Sequence, residues 1–382
     1  MERDLTRCFL YGVFHHTPLL ETVLGRLPED AQPTVVSGFQ LLSAAGRPET
    51  VPVLAPAEGS SVAGLVVEGL TEQDFDRLNL FAVCAGGADH TVSLHQSGQL
   101  VEMRAFGGAP ASSPENDDIW SFDDWHADWS DLQTVFAQEL LSRLQQGQDR
   151  DELIRLAPFV HARAWSRILA KTTAPTDVRS AMSTSQDVIW DKDLPGFNGY
   201  FQLKTFQLRR RDFAGALSAP MHRAGFVAYD AALVLPYDPQ NDLVMLVEQM
   251  RFGPILRGDA HPWVFEPAAG LIDATEDPAE TAKREAMEET GLDIQEVELM
   301  SRVYASPGYS SEFFHCYLAI ANLAGWTTGV SGLSSEFEDI KSHVLTFDHA
   351  MALCDSGEIN AGPLVMMLHW LARHRARLRA GG

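Results

Sequence analysis

Apolar positions recur along this chain with two periods, and the period predicts which element forms where. At helical spacing, Leu132, Val135, Phe136, Leu140 and Leu144 make one stripe over 131–144. Leu153, Ala157, Val160, Ala164 and Ile168 make another over 151–169. His161, beside that second stripe, reads as a satisfied surface or core histidine rather than a ligand. The first hundred residues instead read as strands with turns: an apolar run at 8–12 ended by Gly12, a strand at 61–68, and a hairpin over 91–103 turning at Ser97-Gly98. A short helix is expected at 71–78. In the second half, 200–211 alternates apolar and polar residues, and 230–237 and 243–249 are apolar strands joined by the turn sequence 238–242. Residues 263–265 lead into 266–269 and the helix after them; further strands are expected at 299–304, 313–319 and 340–346, a long loop at 322–338, and helices at 348–355 and 362–378. The fold class is therefore mixed, α+β and α/β, in two domains.

One helix is signalled at both ends. Asp277 stands at the N-cap, Pro278 in the first turn, Glu280 where the reciprocal partner of a capping box belongs, and Gly291 at the left-handed stop, so the helix should span 278–290. It carries Glu285, Glu288 and Glu289 at i, i+3 and i+4, so three carboxylates project from one face. Like charges this close call for a cation. Arg284 is placed to pair with Glu280 or Glu288.

Length and composition narrow the picture. The 382 residues exceed the usual span of one core. The segment 171–190 is the expected linker, since 171–186 is polar and aperiodic and contains a proline, leaving domains at 1–170 and 191–382. A formal charge of −23 argues against nucleic acid or an anionic membrane as partner, and it would repel an anionic substrate unless cations intervene. Cys8, Cys84, Cys316 and Cys354 share no metal-binding spacing and read as reduced thiols. No apolar run reaches about 18 residues, and the start lacks a basic region followed by an apolar core, so a cytoplasmic location is expected. Trp120, Trp125 and Trp129 lie in an acidic stretch and could line a ligand site, although packing against the neighbouring domain is the more ordinary role.

The order Gly270, five residues, Glu276, seven residues, then Arg284-Glu285-Ala286-Met287-Glu288-Glu289-Thr290-Gly291-Leu292 resembles the signature of the Nudix hydrolases at every fixed letter. Chance agreement is on the order of 10⁻⁸ per starting position at ordinary residue frequencies. The resemblance implies a Nudix α/β/α sandwich. It implies that Mg²⁺, with Mn²⁺ as a substitute, is held by Glu285, Glu289 and the Ala269 carbonyl, with Glu288 and Arg284 in the catalytic machinery. Oxygen ligands of this kind suit a hard cation.

Three further stretches resemble the ADP-ribose pyrophosphatases of that family. Pro307 lies fifteen residues after Leu292, within 306–312, which ends in Glu312; residues 247–251 end in Arg251; and 335–340 contains Glu336 and Glu338. By resemblance, Arg251 contacts phosphate, Glu336 is the general base, Glu338 is a loop metal ligand, and Pro307 and Glu312 belong to the substrate site. The Gly/Ser/Thr-rich run before Glu336 would let that base move. Among Arg209, Arg210 and Arg211, Arg209 is the first choice for a substrate contact contributed across a homodimer, the assembly the resemblance implies. Phe201 or Phe206 could stack on adenine or simply be core.

The expected reaction is hydrolysis of ADP-ribose to AMP and ribose 5-phosphate. The alternatives are another nucleoside diphosphate sugar, or a fold that senses a nucleotide without cleaving it. The N-terminal part, with Tyr11-Gly12 after its first strand and a short helix ending near Leu78, resembles a γ-glutamylcyclotransferase-like barrel with added helices. Ala82 stands where that family's catalytic glutamate is counted, so the domain is expected to be inactive unless Glu68 or Glu72 reaches the Tyr-Gly pocket. The two-part arrangement resembles the tellurite-resistance-associated Nudix proteins.

Overall fold

In the computed structural model the chain divides into two compact units, 1–174 and 175–382. The structure describes residues 2–44, 47–96, 99–108, 118–171, 177–327, 329–331 and 339–380.

The first unit runs β1 (Glu2–Tyr11), a 3₁₀ turn (Gly12–His15), α1 (Thr17–Leu24), β2 (Ala31–Leu42), β3 (Val53–Val67), α2 (Glu72–Cys84), β4 (Ala88–Gln96), β5 (Gln99–Gly107), α3 (Phe122–Asp128), α4 (Ser130–Gln145) and α5 (Arg150–Leu169). Its sheet has the order β2-β3-β1-β5-β4, antiparallel except for the parallel pair β1 and β5. An isolated bridge from Val53 to Gly108 brings the end of β5 back to the start of β3. Both faces of β1 are buried, Cys8 and Leu10 in one cluster with the helices, Phe9 and Tyr11 in another with Val36, Leu54 and Met103. A strand buried on both sides reads as a continuous apolar run, as 8–11 does. The expected hairpin is the antiparallel pair β4 and β5, in register from Ala88 opposite Gly107 to Gln96 opposite Gln99; its turn, Ser97-Gly98, lies outside the described residues.

The tryptophan-rich stretch differs from expectation. Ser121 caps α3 by accepting from the Asp124 N–H, and this turn of helix swings Trp125 inward to 1% exposure. Trp120 and Trp125 join the core of their own unit with Phe14, Phe81 and Phe136.

The second unit begins inside the expected linker, with α6 (Thr184–Asp187) and β6 (Val188–Asn198). β6, β7 (Gln202–Arg210) and β8 (Met221–Val227) form a three-stranded antiparallel sheet. Then follow β9 (Asp230–Asp238), β10 (Leu243–Met250), α7 (Phe252–Arg257), β11 (Trp263–Glu266), β12 (Ala268–Leu271), α8 (Pro278–Thr290), β13 (Val297–Tyr304), β14 (Phe313–Ile320), β15 (Val330–Ser331), β16 (Ile340–Thr346), α9 (Phe347–Ser356) and α10 (Gly362–Ala380). A mixed sheet runs β13-β14-β9-β10-β16-β15, with β11 on β10 and β12 on β9. The expected hairpin of β9 and β10 pairs only at its base, Leu243 with Asp238 and Val244 with Tyr237, after which β12 takes the place beside β9. Every residue of β9 is buried. Leu233, Leu235 and Tyr237 share a core with Leu364, Met367, Leu368 and Leu371 of α10. Ala232 and Val234, on the opposite face, are also fully buried, and α8 packs against β9 and β12. That helix carries the acid cluster, so a buried central strand sets its position. Among the described residues no helix is long and apolar enough to cross a membrane, and all four cysteines are free.

Candidate active site

The helix α8 spans the expected residues, with Asp277 as N-cap and Gly291 left-handed at its end. Its capping differs in detail. The Asp277 carboxylate accepts from the Ala279 N–H at 2.8 Å, while Glu280 accepts from Lys283 Nζ at 2.8 Å and serves as a surface partner rather than half of a capping box.

Along α8, Ala282 and Ala286 are fully buried, and their small size brings the helix close to the sheet. Glu285 and Glu289, one turn apart, follow them inward, at 9% and 2% exposure, while Glu288 sits half-exposed beside them. Two contacts hold the buried pair. The Ala269 N–H of β12 donates to Glu289 Oε2 at 2.9 Å. At Gly270 a Cβ would lie 1.9 Å from Glu285 Oε1, so the Glu285 carboxylate occupies the space this glycine leaves.

Arg284 organises the rest. Its Nε and Nη2 donate to the two oxygens of Glu276, at 3.0 and 3.1 Å, a bidentate pair. Its Nη1 donates to Glu285 at 2.6 Å and to Glu288 at 3.0 Å, and Nη2 also reaches the Leu271 carbonyl at 3.3 Å. Its partners are thus Glu276, Glu285 and Glu288, with Glu280 absent from the set. Burial works against the charge on Arg284, but Glu276 and Glu285 outweigh it and raise its pKa; burial likewise pushes Glu276 up, and the Arg284 bonds hold it below its ordinary value. Asp273 is raised by burial.

A second group forms where β10 ends. Arg251 donates through Nε to Glu266 at 2.6 Å, and the β10–β11 register, Val247 opposite Glu266, sets that pairing. Burial raises Glu312, with Arg251 pulling it down and Glu266 pushing it up, so the three groups share one field. Glu266 carries no local sequence signal; only the pairing of two strands shows it. Pro307 opens the turn between β13 and β14, closed by the Tyr309 and Ser310 N–H groups on the Ser306 carbonyl and by the Ala305 N–H on the Glu312 carbonyl.

Arg209 lies elsewhere. On β7 of the three-stranded sheet its Nε and Nη2 both donate to Asp191 Oδ1, at 3.0 and 2.7 Å. On that sheet Phe206 stacks on Trp190 at 4.3 Å, while Phe201 packs against Tyr200 and Phe226. Glu336 and Glu338 lie outside the described residues.

Among the described residues no three His, Cys, Asp or Glu side chains converge as a ready metal centre, and Arg284 stands against two of the carboxylates. The donor set nevertheless fits a hard divalent cation: two buried carboxylates one turn apart, one of them seated against Gly270, and a strand backbone alongside. A pair of buried carboxylates that a helix delivers against the central strand of a mixed sheet is suited to hydrolytic chemistry on a phosphoanhydride.

Comparison with known proteins agrees. The NUDIX domain matches residues 228–365, and the chain is 35% identical over 185 residues to the ADP-ribose pyrophosphatase of Haemophilus influenzae, covering 48% of this chain and 85% of that protein. It is 32% identical over 192 residues to the GDP-mannose pyrophosphatase of Salmonella arizonae, covering 49% of this chain and 96% of that protein. A solved structure described as an ADP compounds hydrolase aligns with 51% of this chain and 97% of its own, at 18% identity and a TM-score of 0.41. The chain belongs to the Nudix family, and it is an enzyme of that family.

Proposed function

We propose that the second unit hydrolyses the diphosphate bond of ADP-ribose, releasing AMP and ribose 5-phosphate. The observation that carries this reading is the pair Glu285 and Glu289, buried one turn apart, with the Glu285 carboxylate seated in the space at Gly270. Water adds to one phosphorus and the bridging P–O bond breaks, its oxygen leaving with the other phosphate.

Glu285, Glu289 and the Ala269 carbonyl would hold Mg²⁺, or Mn²⁺ in its place, which when bound polarises phosphate oxygens and lowers the pKa of a water. Arg284 fixes the carboxylates before substrate arrives, its bidentate grip on Glu276 tying α8 to the preceding loop. Arg251 is held by Glu266 and would meet a phosphate oxygen, and Glu312, half-buried beside it, would line the same region with the Pro307 turn. The roles of Glu336 as base and Glu338 as further ligand rest on the sequence alone. The similarity to a GDP-mannose pyrophosphatase favours a second reading in which the sugar nucleotide is a GDP-sugar.

We infer a homodimer through the three-stranded sheet, where Trp190 and Phe197 stay exposed at 48% and 63%. Arg209 would act from that sheet. For the first unit we infer a γ-glutamylcyclotransferase-like fold without transferase activity. Ala82 is fully buried in α2, Glu68 pairs with Arg7 at 2.9 Å, and Glu72 is exposed on the first turn of α2.

The test is release of AMP from ADP-ribose, alongside GDP-mannose, ADP-glucose and NADH, with and without Mg²⁺. Selective magnesium-dependent cleavage of ADP-ribose supports the reading. Faster cleavage of GDP-mannose would replace it with the second, and nucleotide binding without cleavage of any substrate would make the domain a sensor.

A further inference from the structure

The first unit contains a cleft of about 420 Å³ that the reaction above does not use. It lies beside a break in the β2–β3 ladder. Ser37 pairs with Ser61 and Phe39 pairs with Pro56, so Gly38 alone stands opposite 57–60 of β3. Gly38 and Gly59 both take left-handed backbone there, and the opened ladder exposes strand edge. Bulges of this kind tend to lie beside binding sites.

The opposite wall is aromatic. Trp120 is held by its Nε1–H on the Pro48 carbonyl, and Phe122 has one face stacked on His126, with centroids 5.7 Å apart. The polar groups are few and neutral: Ser60 and Ser61 on β3, Gln40 on β2, and His15 from the turn after β1. Burial lowers the pKa of His15, keeping the ring uncharged near neutrality. Its Nε2 is buried and, among the described residues, has no hydrogen-bond partner, so a turn of the ring toward the cleft that let it meet a ligand edge would satisfy an orphaned group.

No Asp, Glu, Lys or Arg is among the described residues that line this cleft. A zwitterionic γ-glutamyl group would bring an ammonium and a carboxylate with nothing among those described residues to pair either. Tyr11, whose following glycine lines the cleft, sends its hydroxyl the other way, to His90 at 3.3 Å. Volume, aromatic walls and a small set of neutral hydrogen-bonding groups are the ordinary attributes of a site for a small uncharged molecule.

We propose that this cleft binds an uncharged heteroaromatic ring with an amide-like donor–acceptor edge, of the nucleobase or pyridine-carboxamide class. The ring lies against Trp120 and Phe122, and its polar edge meets His15 and Gln40.

The experiment uses the full chain, with nicotinamide and adenine as probes and γ-glutamyl-alanine as the charged comparison. Binding is followed by ligand-observed NMR and calorimetry, with saturating AMP present to occupy the nucleotide site of the second unit. For ligands of this size a Kd of about 0.1–1 mM is expected for at least one ring. His15→Phe keeps the ring volume but removes the nitrogens, and should weaken binding at least tenfold. Ala63→Trp fills the cleft from an exposed position on β3 and should abolish binding, with thermal unfolding unchanged. No ring binding at about 10 mM would overturn the proposal, as would tighter binding of the γ-glutamyl dipeptide or wild-type affinity in both variants.

Discussion

Replacing Gly270 by alanine places a methyl group where the Glu285 carboxylate now lies. The added Cβ would sit 1.9 Å from Oε1, 2.1 Å from Cδ and 2.6 Å from Oε2. Non-bonded carbon contacts settle at roughly 3.5 Å, so the carboxylate must retreat by about 1.5 Å. The backbone itself accepts alanine, since Gly270 is not among the glycines with positive φ. The whole effect therefore falls on Glu285 and on its 2.6 Å bond to Arg284. Overpacking of this kind costs about 1–3 kcal/mol, and a catalytic group displaced by more than an ångström costs on the order of 10² in rate. Urea unfolding and magnesium-dependent AMP release measure the two losses. Gly362→Ala, with no atom within 4 Å of the new Cβ, is the control and should stay within about 0.5 kcal/mol of wild type. In a Glu285→Ala background the clash has no target, so Gly270→Ala should cost much less there than in the wild-type chain. A Gly270→Ala enzyme turning over at the wild-type rate, or a strictly additive double variant, would refute the placement of Glu285 against that glycine.

Three other outcomes are expected. Glu289→Gln should lower kcat at least ~10²-fold, because a charged metal ligand is lost, while its amide oxygen can still accept from the Ala269 N–H and keep the fold; a near-wild-type rate would remove Glu289 from the site. Asp74 in α2 is gripped by Arg26 through two bonds of 2.7 and 2.8 Å and accepts from the Thr71 N–H, which lowers its pKa to about 2 from 3.8. The unfolded chain takes up that proton first, so the stabilisation is present above about pH 4 and is lost as pH falls through about 2. Asp74→Asn should then cost about 2 kcal/mol at pH 7 and little at pH 2, read from the urea transition that exposes Trp125; an equal cost at both would mean the charge contributes nothing. Thr275, a β-branched residue at φ 78° in the loop before α8, should gain about 1–2 kcal/mol on replacement by glycine, and a loss in urea unfolding would show that the loop needs the side chain.

How far the site is legible in the sequence depends on the range of the interaction. The ends of α8 and the spacing of Glu285 and Glu289 are local facts, written in Asp277, Pro278 and Gly291, and the structure places them accordingly. Glu280 misleads because a capping partner and a surface ion-pair partner look alike in sequence, and Lys283 lies close enough to compete for it. The bond from Arg284 to Glu276 spans a loop, and the pair of Arg251 with Glu266 depends on the β10–β11 register, so neither follows from helical periodicity. In β2, Pro33 and Gly38 break the alternation that would announce a strand, and partners on β3 supply the order instead. Trp125 turns inward because a serine cap starts a helix two turns long, a signal too short for any periodicity to register.

Charge decides what the second unit must borrow. Among the described residues, seven carboxylates, Glu266, Asp273, Glu276, Glu285, Glu288, Glu289 and Glu312, stand around the proposed reaction centre against two guanidiniums, Arg251 and Arg284, both already engaged by acids. A diphosphate entering this field meets like charge, and each uncompensated pair at about 4 Å costs roughly 1 kcal/mol in water and about 4 kcal/mol near a protein surface. Turnover should therefore vanish with chelation and return with Mg²⁺. Two explanations of that dependence separate cleanly: the cation is ligated by Glu285 and Glu289, or it merely screens. Hexaamminecobalt(III) carries more charge than Mg²⁺ but exchanges no ligands, so it can screen and cannot be coordinated by a carboxylate. With the chelated enzyme and ADP-ribose it should restore less than about 1% of the magnesium rate if ligation and an acidified metal-bound water are required. Restoration to the magnesium level would mean that neutralising the field suffices, and the assignment of Glu285 and Glu289 as metal ligands would fall.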